Sequence, residues 1–283
     1  MNPLPIRNAM TVDVEDYFQV SAFASHIPRE SWTSISCRVE FNIDRILALL
    51  NEEGTQATFF TLGWIADRYP AMVKRIVANG HELASHGWAH HRVSDQEPHE
   101  FRDDITRSKA ILEDIGGQAV LGYRAPSFSI GRHNQWALDL LEEAGYRYSS
   151  SIYPIQHDHY GIPDAPRFAY YPRRANGLLE VPITTMRVFK RNLPAGGGGY
   201  FRLWPYPVSR WFLQRLNQLE KQSAIFYFHP WEIDHQQPRQ TGISMKTRFR
   251  HYYNLNRMED RVRTLIRDFK WDRVDRIFLE QDA

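Results

Sequence analysis

The sequence predicts an α/β protein: a distorted (β/α) barrel carrying a C-terminal helical extension. Three observations predict it. Short apolar runs with strand character alternate with stretches of helical periodicity over residues 9–150, which calls for crossover connections and a parallel sheet. The residues richest in chemistry come at or just past the ends of those runs, the face on which a parallel barrel collects its site. The length of 283 residues suits one large core, with room for an added subdomain.

Residues 9–14 alternate and are β-branched, so they read as the first strand. Residues 38–53 repeat apolar side chains at Val39, Ile43, Ile46, Leu47 and Leu50, the spacing of a helix that Gly54 stops. Residues 57–62 form a second, buried strand. A helix over 70–79 follows, with Pro70 in its first turn and Gly80 after its end. Residues 82–85 are a third strand, and 98–115 another helix closed by Gly116 and Gly117. The alternation continues through 119–124 (strand), 134–144 (helix) and 146–150 (strand). Residues 153–200 break the rhythm: they are rich in Pro, Tyr and Gly, and Gly196–Gly199 are expected as loop or a sharp turn. Helix returns over 205–221 and strand over 224–228. The tail from 245 to 268 is amphipathic, with Leu255, Met258, Val262, Leu265 and Ile266 on one face, and is expected as a helix docked on the core. The chain thus divides into a barrel over residues 1–235 and an extension, 236–283, packed on the same domain.

Composition narrows the function. Hydrophobic residues make up 42% and charged residues 24%, as in an ordinary folded domain. The formal net charge is +2 and no Lys/Arg run forms a stripe, so nucleic acid is not an expected partner. The single cysteine, Cys37, excludes an internal disulfide and a Cys-rich zinc site. Neither a signal peptide nor an apolar run of membrane-spanning length is legible, which points to a cytoplasmic protein. Oligomeric state has no signature.

Three segments carry the candidate chemistry: Thr11-Val-Asp-Val-Glu-Asp16, His81-Glu-Leu-Ala-Ser-His86-Gly-Trp-Ala-His90-His91, and Phe228-His229-Pro230. His86 and His90 are four apart, which on a helix or tight turn puts both imidazoles within reach of one cation. A carboxylate from the first strand would complete two histidines and one acid, leaving positions open for water and substrate. Asp13 and Glu15 leave the strand on one face, with Asp16 just beyond; paired acids are costly there unless a cation or proton separates them. His229, directly after a buried strand, is placed to donate a proton, with Trp231 and Glu232 near enough in sequence to orient it.

These segments resemble the NodB-type polysaccharide deacetylases, carbohydrate esterase family four. The motifs come in that family's order: Thr11 to Asp16 as a longer variant of its first motif, Gly80-His81-Glu82 leading to His86 and His90, Tyr123-Arg124-Ala125-Pro126-Ser127-Phe128, and a strand ending in His229. The runs Val12 to Phe18, Gly197-Gly-Gly-Tyr-Phe-Arg202, His229 to Asp234 and Phe249 to Leu255 resemble a narrower branch, encoded with exosortase-associated exopolysaccharide clusters. The resemblance implies hydrolysis of N-acetyl groups from N-acetylhexosamine units of a polysaccharide, in exopolysaccharide biosynthesis, with one divalent metal ion, zinc or a similar cation. It implies Asp13 as general base, His86 and His90 as ligands, Arg124 positioning the base, His229 as general acid and the backbone N–H of Ser127 on the oxyanion. Because Val14 is inserted in the first motif, the third ligand is Glu15 on strand alternation, with Asp16 as the alternative. Gly87 stands where the family carries Ser or Thr, and Ser149 where an Asp is common. The competing readings are an amidohydrolase acting on another C–N bond of a small molecule, and a carbohydrate-binding protein that has lost catalysis.

Overall fold

The computed structural model describes residues 6–157 and 160–279. In chain order the elements are β1 (Arg7–Val14), α1 (Val39–Glu52), β2 (Thr58–Thr61), α2 (Gly63–Arg68), α3 (Pro70–Ala78), β3 (Glu82–Ser85), α4 (Pro98–Gly116), β4 (Gly122–Tyr123), α5 (Trp136–Glu143), β5 (Tyr148–Ser149) and β6 (Leu179–Glu180). A hairpin of β7 (Thr185–Val188) and β8 (Arg191–Pro194) follows, then α6 (Gly198–Leu203), α7 (Tyr206–Arg215), β9 (Ile225–Phe228), α8 (Met245–Tyr252), α9 (Met258–Asp268), β10 (Lys270–Asp272) and α10 (Val274–Phe278). The main sheet is parallel and runs β10-β1-β2-β3-β4-β5-β6, with β9 on β1. It curls into an incompletely closed barrel with helices outside it.

β1 is the hub. It pairs with β2 through Thr11–Val14 and with β9 through Ala9–Val12. Thr11 and Val12 use both partners, so β2 and β9 lie on opposite edges. All but the first residue of β1 are buried, as are all of β2, β3 and β9, as expected of parallel strands covered on both faces. Local signals set the helices. α4 begins with Pro98 and a reciprocal capping box between Glu97 and Glu100, and ends at Gly117, whose φ of +65° is the left-handed stop. α1 and α3 bury Ile43, Ile46, Leu50, Met72, Val73 and Ile76 on the faces their spacing predicts.

The stretch 153–200, where the strand–helix rhythm breaks, holds β6 and the β7–β8 hairpin. Two expectations are corrected. The glycine run is not all loop, because α6 starts at Gly198, where a Cβ would collide with the Glu232 carboxylate. The tail is not one helix: Asn254, at φ +54°, breaks it into α8 and α9. The apolar face read from sequence is buried, with Met258, Val262 and Leu265 fully so. After α9 the chain adds β10 to the N-terminal part of β1, pairing Arg7, Asn8 and Ala9 with Lys270, Trp271 and Asp272. That strand has no apolar alternation to announce it. Among the described residues no helix is long and apolar enough to cross a membrane.

Candidate metal and active site

The C-terminal ends of β1, β3, β4 and β9 converge on one cleft. Beyond β3 the chain turns through Gly87 (φ +75°) to His90 (φ +53°), and this turn, not a helix, sets the His86 and His90 ring centroids 5.4 Å apart. The turn is braced without a hydroxyl at position 87. Trp88 N–H donates to Asp104 Oδ1 at 3.0 Å, and the Arg29 guanidinium donates to the carbonyls of Ala89 and His90 at 2.8 and 3.0 Å. A Cβ at Gly87 would stand 2.8 Å from Asp104 Oδ1, so close bracing and a larger residue exclude each other.

Ligand atoms of Glu15, His86 and His90 all lie within 4.8 Å of one another, and all three residues are buried. His86 Nδ1 is 2.8 Å from the Arg124 carbonyl, which can only accept; Nδ1 therefore carries the proton and the Nε2 lone pair is left for a cation. Burial pushes the His86 imidazole down to about 4, keeping it neutral as a ligand must be. His90 Nε2 lies 2.8 Å from Glu15 Oε2, yet that buried oxygen has no aligned hydrogen-bond donor. Two donor atoms that close but not aimed at each other are what a shared cation requires. Burial alone would raise the Glu15 carboxyl, but the imidazoles of His90, His229 and His86 outweigh it and hold it at about 2. The donor set therefore fits a divalent ion.

Asp16, the alternative third ligand, is not brought to this cluster. Its Oδ1 accepts from Tyr17 N–H at 2.8 Å, and its Oδ2 from the N–H groups of Arg38 and Val39 at 2.5 and 2.9 Å. It caps the start of α1, where the first amides lack intrahelical partners. Burial raises its carboxyl to about 6.

Asp13 lies beside the cluster, its Oδ1 2.6 Å from Arg124 Nη1. Arg124 is completely buried; it also donates to Thr11 Oγ1, Ser150 Oγ and the Ser150 carbonyl, at 2.8, 2.9 and 3.1 Å. Ser149 is turned instead to Ser151, at 2.8 Å. His229 approaches from β9, with Nε2 3.5 Å from Glu15 Oε1 and 4.0 Å from Asp13 Oδ2, and Nδ1 3.0 Å from Glu232 Oε2. Burial would lower its pKa; Glu15, Glu232 and Asp13 reverse that and lift it to about 9. Ser127 lines the same cleft in the left-handed region, φ +54°, with its hydroxyl 2.6 Å from that of Ser21.

The cleft holds about 590 Å³. Its site residues arrive in two halves, and so do the matches to known families. Residues 37–149 match the model described as "Polysaccharide deacetylase", and residues 150–279 match "Domain of unknown function (DUF3473)". The deacetylase match thus takes in the strand ends that carry His86 and Arg124, and less than half of the chain. A peptidoglycan-N-acetylglucosamine deacetylase of Bacillus cereus is 32% identical over 113 residues, covering 36% of this chain and 41% of that protein. A peptidoglycan deacetylase-like protein of Gibberella zeae is 29% identical over 112 residues, covering 39% and 32%. The chain thus spans well under half the length of these relatives. Among solved structures, a "probable polysaccharide deacetylase" from Pseudomonas aeruginosa superposes with a TM-score of 0.62 at 15% identity, over 96% of this chain and 89% of that one. The PuuE allantoinase superposes with a TM-score of 0.61 at 13% identity, over 98% and 90%. At such identities the likeness concerns the fold, the expected (β/α) barrel of the deacetylases.

The deacetylase match contains His86, His90, Arg124 and Ser127; Asp13 and Glu15 precede it, and His229 follows it. The second half also brings Arg202, to which the sequence assigned no role, and packs Trp231, expected near His229, against that ring. Arg202 is buried, with Nε 2.8 Å from Glu232 Oε1, and it donates to the carbonyls of Arg250, His251 and Tyr253. Trp231 stacks between His229 and His251, at centroid distances of 5.0 and 4.2 Å, and donates to Glu15 Oε1 at 3.2 Å. The glycines before Arg202 were the available signal, since they mark a close approach of backbone to another group.

Proposed function

We propose that the protein is a metal-dependent deacetylase that hydrolyses N-acetyl groups of N-acetylhexosamine units in a polysaccharide, releasing acetate, with a role in exopolysaccharide biosynthesis. The observation that carries this reading is the convergence of Glu15, His86 and His90 beside one carboxylate held by arginine and one histidine held by a carboxylate.

An acetamide is a weak electrophile with a poor leaving group. A divalent ion such as zinc, which Glu15, His86 and His90 would hold, would supply Lewis acidity and lower the pKa of water from about 16 towards 7. Asp13 takes the proton of the attacking water. Arg124 occupies its Oδ1 at 2.6 Å and so fixes the carboxylate with Oδ2 towards His229. The Ser127 backbone N–H helps hold the oxyanion at the attacked carbon. His229 protonates the departing amine. Glu232 against Nδ1 favours the protonated imidazole and directs Nε2 into the cleft. An ion beside Glu15 offsets one of the carboxylates that raise His229, leaving Glu232 and Asp13. The products are acetate and a free amine, so the glycan gains positive charge.

The reading is tested by acetate release from N-acetylated glucosamine oligomers, with protein that has been chelated and then reloaded. Release should need the ion. Release at the same rate from fully chelated protein would overturn the metal-dependent reading.

A further inference from the structure

The rim of the cleft differs in charge from its floor. The carboxylates lining it, Asp13, Glu15 and Glu232, are each 2% exposed or less and lie at its base. Two are answered by Arg124 and Arg202, and the third belongs to the cation site. The other charged side chains that line it towards the surface are cationic: Lys246 and Arg250 are exposed, and Arg92 is half-buried. An incoming ligand therefore meets positive charge before it meets the reacting groups.

That charge is presented by a fixed element. Residues 246, 247, 250 and 251 fall on one face of α8 by helical spacing, and all four line the cleft. The same face carries His251 onto Trp231. Arg202, paired with Glu232, accepts the far end of α8 by donating to the carbonyls of Arg250, His251 and Tyr253. The buried ion pair that holds the carboxylate of His229 thus also sets the height of the cationic helix. α8 lies outside the stretch that matches the deacetylase family, 37–149. A second cavity, of about 750 Å³, shares the wall of Arg92, Phe128 and Tyr160 with the first. The two together leave room for more than the reacting sugar.

We propose that this rim selects an acidic glycan: one whose sugars flanking the N-acetylated unit carry carboxylates, which Lys246 and Arg250 engage. The inference rests on the deacetylase reading and narrows its substrate class. The charges are exposed, so their effect is moderate and screened by salt.

The test compares two probes on the full chain loaded with zinc: a hyaluronan hexasaccharide, which alternates N-acetylglucosamine with a uronic acid, and neutral N-acetylchitohexaose. Titration calorimetry gives the ratio of their affinities, and acetate is assayed on the same samples. The wild type should prefer the acidic probe by about ten-fold at low salt, corresponding to ~1.4 kcal/mol. The ratio should fall towards one in the Lys246→Gln/Arg250→Gln protein and at high salt, and survive in Lys246→Arg/Arg250→Lys. Equal affinities in the wild type, or a preference that persists in the glutamine variant, would overturn the inference. The two claims fail separately. A charge-dependent preference without acetate from any glycan upholds the selective rim and sinks the deacetylase reading, whereas acetate release without preference does the reverse.

Discussion

Replacing Arg202 with methionine should unseat both the C-terminal helices and His229. The guanidinium is 2% exposed and Glu232 is completely buried. Methionine keeps most of the side chain's volume but leaves the Glu232 carboxylate with His229 as its one remaining cationic partner and three carbonyls without their donor. Breaking a buried ion pair from one side costs about 3–5 kcal/mol, chiefly because the remaining charge is stranded. The orphaned carbonyls add to this only partly, since local relaxation and water relieve them. At about 2–4 °C per kcal/mol for a chain of this size, the melting temperature should drop by roughly 6–20 °C. The pair is best read in a double-mutant cycle with Glu232→Gln, by denaturant titration of zinc-loaded protein. Removing both charges strands neither, so the double variant should be more stable than the sum of the single losses by about 0.5–3 kcal/mol. Additive losses, or an Arg202→Met protein within about 1 kcal/mol of wild type, would refute the claim that this pair ties α8 to the site.

Three further outcomes follow from the same geometry. Asp13→Asn should abolish turnover with zinc still bound, while His229→Ala should retain zinc and lose on the order of 100-fold in rate; loss of zinc from Asp13→Asn but not from Glu15→Gln, by metal analysis, would reverse the two assignments. In the metal-free protein His229 has a pKa raised from 6.5 to about 9, so the stability it contributes is complete below pH 6.5 and is lost as pH rises through about 9; denaturation midpoints of chelated protein from pH 6 to 10 should show that loss in the wild type and not in His229→Asn. Leu265→Ala removes a fully buried side chain of α9 and should cost about 3–5 kcal/mol; a loss below 1 kcal/mol would mean that α9 is not docked as described.

What the sequence revealed was whatever periodicity and spacing encode. The strand ends bearing Asp13, His86 and His229 were legible because apolar runs stop abruptly at titratable residues. Glu82–Ser85 emerged with the bounds expected, and the apolar face of α9 is written in its helical spacing. The choice between Glu15 and Asp16 was not legible from alternation alone. It turns on the amides of Arg38 and Val39, more than twenty residues away, which claim Asp16 as a helix cap. β10 escaped notice because three residues, Lys270–Asp272, carry no period, and only β1 makes them a strand. Arg202 escaped because a buried arginine looks like a surface one until Glu232 and the carbonyls of α8 surround it. The role of Gly87 was likewise hidden, since Asp104, which braces the turn through Trp88 N–H, comes from α4.

The central claim is that Glu15, His86 and His90 hold one divalent ion on which acetate release depends. It is tested most directly by metal analysis of wild type and His86→Ala, each stripped with chelator, reloaded with zinc and desalted, with acetate release from N-acetylchitohexaose measured on the same samples. The account predicts one ion per chain and acetate release in the wild type, and strongly reduced rebinding with little acetate in the variant. Equal zinc in both proteins, or undiminished acetate release from the variant or the chelated wild type, would contradict it.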